Sequence, residues 1–363
     1  MLRISMLMCA VAAAIIPAFA SNAAEPAGAY RVVDRWEIGG VGGWDLLAAD
    51  AAAARLYVSH SDRVVVLDTS NGKSAGEIAN TLGVHGIALA PGLNRGYTSN
   101  GRADSVTVFD LKTLKTLAEI KVSGKNPDVI LFDPATRHVF TFNGRSANAS
   151  VIDTADNREI GTIALDGKPE FAVSDGKGRI YVNIEDKSEL TTIDTNARKV
   201  VTSWPLADCE EPSGLAFDAA HQRLFSACGN AKMIVTDSTN GKQVASLAIG
   251  KNVDGAAFDA QRHLVFSSNG EGTLTVIHQD DADHYRVVDN LATQKSARTV
   301  ALDAKTHRLF LPPPSSVPHL QRPRSIRIRG RLRSRAASRF WSWGNEGRLH
   351  FWVSQGPSRP RPR

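Results

Sequence analysis

The chain lacks the short motifs that mark the common catalytic classes. Its three cysteines form neither a Cys-x-x-Cys-His haem site nor a Cys-x-x-Cys redox pair. No Gly-x-Ser-x-Gly turn presents a serine nucleophile, and no Gly-x-x-x-x-Gly-Lys-Ser/Thr loop cradles a phosphate. The ten histidines are scattered, without His-x-His or Glu-x-x-His spacing, so the motifs predict no tight metal site and no cofactor. Long amphipathic helical patterns are missing, and beyond the first 24 residues no apolar run is long enough to cross a bilayer. These absences disfavour the motif-bearing enzyme classes and a membrane span.

What is present begins with a leader. Residues 1–24 place Arg3 before an apolar run from Ile4 to Phe19 and the small-residue pattern Ala18-Phe19-Ala20, which reads as a secretory signal peptide. The run is shorter than the ~20 residues needed to span a bilayer. Cys9 inside it has no lipoprotein box around it. The mature protein is therefore expected in the periplasm or secreted.

The rest of the chain is rich in short Val, Ile, Thr and Phe runs separated by turn residues. A unit of apolar run, acidic residue, short turn and Arg-apolar-aromatic recurs seven times, the first run ending at Asp50, Ala90, Asp133, Ser174, Asp218, Asp259 and Asp303. A period near 42 residues with four short strands per unit predicts an all-β, seven-bladed β-propeller. Two residues before each of those positions stand Ala48, Ala88, Leu131, Ala172, Ala216, Ala257 and Ala301. Small side chains suit innermost strands that converge on an axis. The pentapeptide Tyr-Arg-Val-Val-Asp occurs at Tyr30 and again at Tyr285. Their separation is six periods, so both copies are predicted as outermost strands. The N-terminal copy then closes the ring by completing the last blade, which the chain leaves incomplete.

Stretches such as SVTVFDLKT, ASVIDTADNREIGTIALDGKPEFAV and RLFSACGNAKMIVTDSTNGKQVASLAIGK resemble the YVTN-type β-propeller repeat proteins, a secreted seven-bladed family. The resemblance covers residues 29–311. It implies the fold strongly, and the activity weakly, because propellers host unrelated functions on one scaffold.

Residues 312–363 break the pattern. This irregular tail holds 12 of the chain's 43 Lys and Arg residues against one acid, Glu346. The remainder carries 31 basic and 36 acidic residues, so the chain's formal charge of +6 is a property of the tail. Trp341, Trp343 and Trp352 interleave with its arginines, but dense Arg without a folded motif does not predict specific nucleic-acid recognition. The tail also reads as an out-of-frame translation. One codon choice for Arg335–Gly344, read two bases later, spells Gly-Ser-Phe-Ala-Val-Leu-Val-Val-Gly, a good β-strand and the kind of strand that ends relatives of the resembled family.

Candidate site residues follow from the propeller geometry, in which the loops before strand one and between strands two and three share one mouth of the channel. Ahead of strand one stand Asp45 beside Trp44, His85, Asp128, Glu170, Glu211, Asp254 and Arg298, with Arg102, Arg145 and Glu271 on the flanking loops. Such a ring suits a cation, a small polar ligand or a basic protein segment; a solvated rim of mutually paired charges is the plainer alternative. Cys209 and Cys228 flank the first hairpin of the fifth unit, and an oxidising compartment favours a disulfide between them, with free buried thiols or a redox pair as the other possibilities. The expected function is a monomeric binding or scaffold propeller. The alternative is a lactonase-like hydrolase, in which the mouth carboxylates and His85 would activate water on an ester.

Overall fold

The computed structural model describes residues 30–39, 42–312 and 350–355; the segment read as a signal peptide and most of the tail lie outside them. Six sheets are blades of four consecutive antiparallel strands. Their first strands are Trp44–Asp50, Val84–Ala90, Pro127–Asp133, Pro169–Ser174, Pro212–Asp218 and Val253–Asp259, numbered here as blades one to six. The expected count of seven such blades needs correction. The last repeat supplies only two short strands, Ala301–Asp303 and Arg308–Leu311, and they belong to a composite sheet. That sheet continues outward through His350–Gln355 to Arg31–Glu37. The reason is visible in the chain: after Leu311 comes Pro312-Pro313-Pro314, which cannot donate to a ladder.

A second correction follows from the same sheet. The tail is not irregular throughout, because His350–Gln355 pairs with Arg308–Leu311 on one side and with Arg31–Glu37 on the other. Its aromatic and β-branched centre suits a strand, and it fills the gap between two otherwise unpaired edges.

Why the pentapeptide recurs is now clear. Both copies are outermost strands. Each skips one residue in its pairing, Val33 in the first copy and Val288 in the second. In each the aspartate that follows accepts a hydrogen bond from the next backbone amide, Arg35 or Asn290. Each tyrosine meets, edge-on, a phenylalanine on the second strand of the preceding blade: Tyr30 on Phe266 at 5.0 Å and Tyr285 on Phe225 at 5.9 Å.

The recurrent Arg-apolar-aromatic motif opens strand two, where its aromatic lies opposite the alanine column: Ala48 with Tyr57, Ala88 with Tyr97, Ala216 with Phe225, Ala257 with Phe266, Ala301 with Phe310. All these aromatics are buried, so the small residue leaves room for a ring across the ladder as well as for the axis. In blade four the register shifts the expected column by one: Val173, not Ala172, faces Tyr181. The arginine of the motif reaches the following sheet, Arg95 donating to Thr154 O, Arg223 to Ala282 O and Arg308 to Thr69 O. First strands touch their neighbours all round the ring, including the composite sheet against blades six and one.

Candidate functional site

Each blade's first strand begins with a register shift in its pairing to strand two, at Trp44/Leu47, Val84/Ile87, Pro127/Ile130, Pro169/Ala172, Pro212/Leu215 and Val253/Gly255. A β-bulge at a barrel-like rim bends the strand and re-aims a side chain. Asp45, His85, Asp128, Glu170 and Asp254 all lie in or beside these bulges, three residues before the position opposite the aromatic. In blade five that place belongs to Ser213, not Glu211. Glu211 sits in the exposed loop ahead of Pro212 with φ of 49°, and the buried Ser213 hydroxyl donates to Val253 O.

The backbone of this column is pinned from the preceding sheet. Ser99 donates to Asp128 O, Asn183 to Ser213 O at 3.0 Å, Ser268 to Arg298 O at 2.5 Å and Thr299 to Asp45 O at 2.9 Å. These bonds fix the mouth residues on rigid strands rather than on free loops. Gly101 adds a steric condition, since a Cβ there would lie 2.6 Å from His85 Nε2.

The side chains form three groups. His85 Nδ1 lies 2.5 Å from Asp45 Oδ2 and 3.9 Å from Asp128 Oδ1. Lys168 bridges Glu170, at 2.7 Å, and Glu185. Arg298 Nε meets Asp254 Oδ2 at 3.0 Å. Trp44 stacks at 3.9 Å on the buried His60, whose pKa burial lowers to about 4. A cavity of about 420 Å³ opens beside Trp44, Asp45, Asn252, Arg298 and Thr299. Arg102 and Arg145 are exposed on the rim, and Glu271 accepts a hydrogen bond from Thr273 beside it.

Electrostatics tie the groups together. Burial, reinforced by Asp128 and Glu185 and opposed by Lys168, raises Glu170 to about 7. Burial likewise raises Asp254 to about 6, with Asp45, Asp128 and Glu185 adding to it against Arg298. Asp128 is raised by burial in spite of His85. Burial alone would depress His85, but the bond to Asp45 and the charges of Asp128 and Glu170 outweigh it and hold its pKa above the ordinary value. Five carboxylates thus compete for two permanent cations and one histidine, and the mouth is short of positive charge.

Sequence reasoning missed Lys168 and Glu185, which flank the mouth from loops outside the aligned column. It named Asp45, His85 and Asp128 among the mouth residues but not as one close group, whose ligand atoms all lie within 4.8 Å of one another. Their separation of about one blade each hides them from any local motif, although the column alignment did put them at one level.

At the neighbouring position, where strand two ends, blades two, three and six carry Asn100, Asn143 and Asn269. Each donates to hydroxyls on strand three, Asn100 to Ser105 and Thr107, Asn143 to Ser150, Asn269 to Thr273 and Thr275. Blade five has Cys228 there, opposite Pro212, and a disulfide joins it to Cys209 with Cα atoms 5.4 Å apart.

No family model matches the chain. A stretch of 135 residues is 33% identical to Antigen Lp49 of Leptospira interrogans serogroup Icterohaemorrhagiae, covering 31% of this chain and 29% of that protein. The chain therefore spans less than a third of that relative's length. Among solved structures, Kuenenia stuttgartiensis hydrazine synthase is similar with a TM-score of 0.66 and 17% identity, over 75% of this chain and 92% of that one. At that identity the likeness is one of architecture, and the chain is a β-propeller.

Proposed function

We propose that this is a secreted YVTN-type propeller that binds a positively charged group, on a small polar ligand or a partner's protein segment, at the bulged mouth of its channel. The observation that carries the reading is the convergence of Asp45, Asp128, Glu170, Glu185 and Asp254 on one partly buried rim with too little positive charge to balance them. The aromatic-x-x-Asn latches at Tyr97–Asn100, Phe140–Asn143 and Phe266–Asn269 support the family assignment. The disulfide and the partial likeness to a protein called an antigen fit a location outside the cytoplasm.

The test is calorimetric titration with arginine methyl ester and an Arg/Lys-rich peptide, in chelator. Asp128→Ala with Glu170→Ala should abolish binding and leave the melting temperature within a few degrees. Unchanged binding moves the site elsewhere, and loss of folding makes these residues structural.

One contact favours a second reading. The 2.5 Å link from Asp45 to His85 Nδ1 is the arrangement in which a carboxylate orients a histidine as general base. A lactonase-like hydrolase would turn over simple lactones and lose that activity in Asp45→Asn. No turnover of a lactone panel excludes it.

A further inference from the structure

Asp45, His85 and Asp128 come from the first strands of three successive blades, each held by its bulge. Two of the three backbones are fixed by hydrogen bonds from the sheet before. Their side chains are 31%, 29% and 24% exposed, so they line the channel without being free in solvent. Among the described residues no hydrogen bond reaches the Asp128 carboxylate, whose ion-pair partner is His85 Nδ1 at 3.9 Å. A half-buried carboxylate with no donor is costly, and a ligand that supplies positive charge removes that cost.

We propose that Asp45, His85 and Asp128 form a binding site for a divalent transition-metal ion of the Mn²⁺ or Zn²⁺ type, open to the channel. The inference rests on the reading of the mouth as a cation site and names the cation. Ligand atoms within 4.8 Å of one another are close enough to converge on one ion with bonds of ~2.0–2.3 Å after small side-chain movements. One imidazole nitrogen with two carboxylates selects transition metals over Ca²⁺ and Mg²⁺, which prefer all-oxygen shells. Three protein ligands leave coordination positions facing the channel, as in open sites that accept a further ligand rather than closed structural ones. The 2.5 Å contact between His85 Nδ1 and Asp45 Oδ2 is a hydrogen bond; a bound ion would displace its proton and draw the two ligand atoms apart to roughly 3 Å or more.

The probe is the metal itself: Mn²⁺ and Zn²⁺ titrated into chelator-stripped full-length protein, with Ca²⁺ in parallel. One transition-metal ion per chain is expected, with Ca²⁺ bound at least about tenfold more weakly. Asp128→Asn and His85→Gln should each weaken binding at least about tenfold, while Glu77→Gln, on the outer strand of blade one, should not. Pulsed electron paramagnetic resonance of bound Mn²⁺ should show one histidine nitrogen, a readout that needs no variant to fold. No stoichiometric binding, binding indifferent to both ligand variants, or Mn²⁺ without a nitrogen coupling overturns the site. Failure here with basic probes still bound in chelator leaves the general reading of the mouth intact; loss of both sinks both.

Discussion

Blade six and the composite sheet carry the same five residues on their outer edges but are made differently. In blade six the strand Tyr285–Ala292 follows its partner Thr273–Gln279 through a short turn. In the composite sheet the ladder partner of Arg31–Glu37 among the described residues is His350–Gln355, from the opposite end of the chain. The same local sequence, with the same bulge and the same tyrosine contact, thus closes one sheet by a hairpin and another by a meeting of termini. Local patterning specifies what an outer strand looks like. Only the two ends together specify whether the ring is shut.

The most severe way to break the comparison is to delete residues 350–363. The composite sheet should lose its third strand and Arg31–Glu37 its ladder partner, exposing Arg308–Leu311 as an apolar edge. We expect destabilisation of about 4 kcal/mol or more, with aggregation on size-exclusion chromatography. Hydrogen exchange should show protection lost first at Arg308–Leu311 and kept longest at Leu264–Asn269 of blade six. Equal loss in both sheets would show that the composite sheet does not unfold as a separate element. Replacing the tail with the alternative-frame strand Gly-Ser-Phe-Ala-Val-Leu-Val-Val-Gly sharpens the point, since a better β-former in the same slot should raise the melting temperature. Resequencing the coding DNA decides which frame is genuine.

Next in size is the staple of blade five. The Cys209–Cys228 disulfide closes a loop with a sequence separation of 19, for which the chain-entropy estimate is about 3 kcal/mol. Peptide mapping without reduction should find the two linked, and Cys209→Ser with Cys228→Ser should lower stability by about that amount. The same position in blade three holds Asn143, fully buried, and Asn143→Ala should cost about 1–3 kcal/mol by taking the donor from Ser150 Oγ and Asn148 Oδ1. Two freely alkylated thiols in protein taken from an oxidising compartment would remove the staple from the account.

Much of this was legible in the sequence, and what was not has physical causes. The period, the alanine column and the pentapeptide gave the propeller and its N-terminal outer strand, because repeat units obey the same ladder and axis constraints. Glu211 was misplaced since Ser213 lies only two residues on and charge was the alignment's guide, whereas pairing with Cys228 sets the register. Blade four slipped by one because its first strand ends earlier, at Ser174, with Asp175 taking the turn position. The strand at His350–Gln355 could not be read ahead because its partners lie at distant points of the chain, and pairing at that range leaves no local pattern. Lys168 and Glu185 escaped since their roles come from loops, not from the repeat.

The mouth supplies a pH-dependent test, because its like charges lie on both sides of the composite sheet, Asp45 on blade one and Asp254 on blade six. Glu170 and Asp254 have folded pKa values of about 7 and about 6, above their ordinary 4.5 and 3.8. A raised carboxyl means that the folded state binds the proton more tightly, so stability is greatest below the ordinary value and falls as pH rises through the folded one. His85, also raised, acts with the same sign. Melting temperature should therefore decline between about pH 4 and pH 7, by the equivalent of a few kcal/mol. Glu170→Gln should flatten the decline. A melting temperature that rises over that interval would mean the mouth carboxylates are already compensated.

The finest comparison returns to the two tyrosines. Tyr285 donates to Ala282 O at 2.7 Å and accepts from Gln279 Nε2 at 3.2 Å, in a chain that continues to Asp218. Tyr30 has the same ring contact, but its hydroxyl accepts from Arg262 at 3.5 Å, and burial raises its pKa to about 12. Tyr285→Phe removes one bond from the Ala282 carbonyl and one from Gln279, which keep Arg223 and Asp218 as partners, and should cost about 1 kcal/mol. Tyr30→Phe keeps the edge contact with Phe266 and the Arg262 guanidinium 5.9 Å over the ring, and it removes a buried hydroxyl that gains little, so its cost should be near zero. Chemical denaturation of the two variants measures the difference. Equal losses would mean that both tyrosines are held by their hydroxyls; equal and negligible losses would mean that the ring contact alone accounts for the repeated pentapeptide.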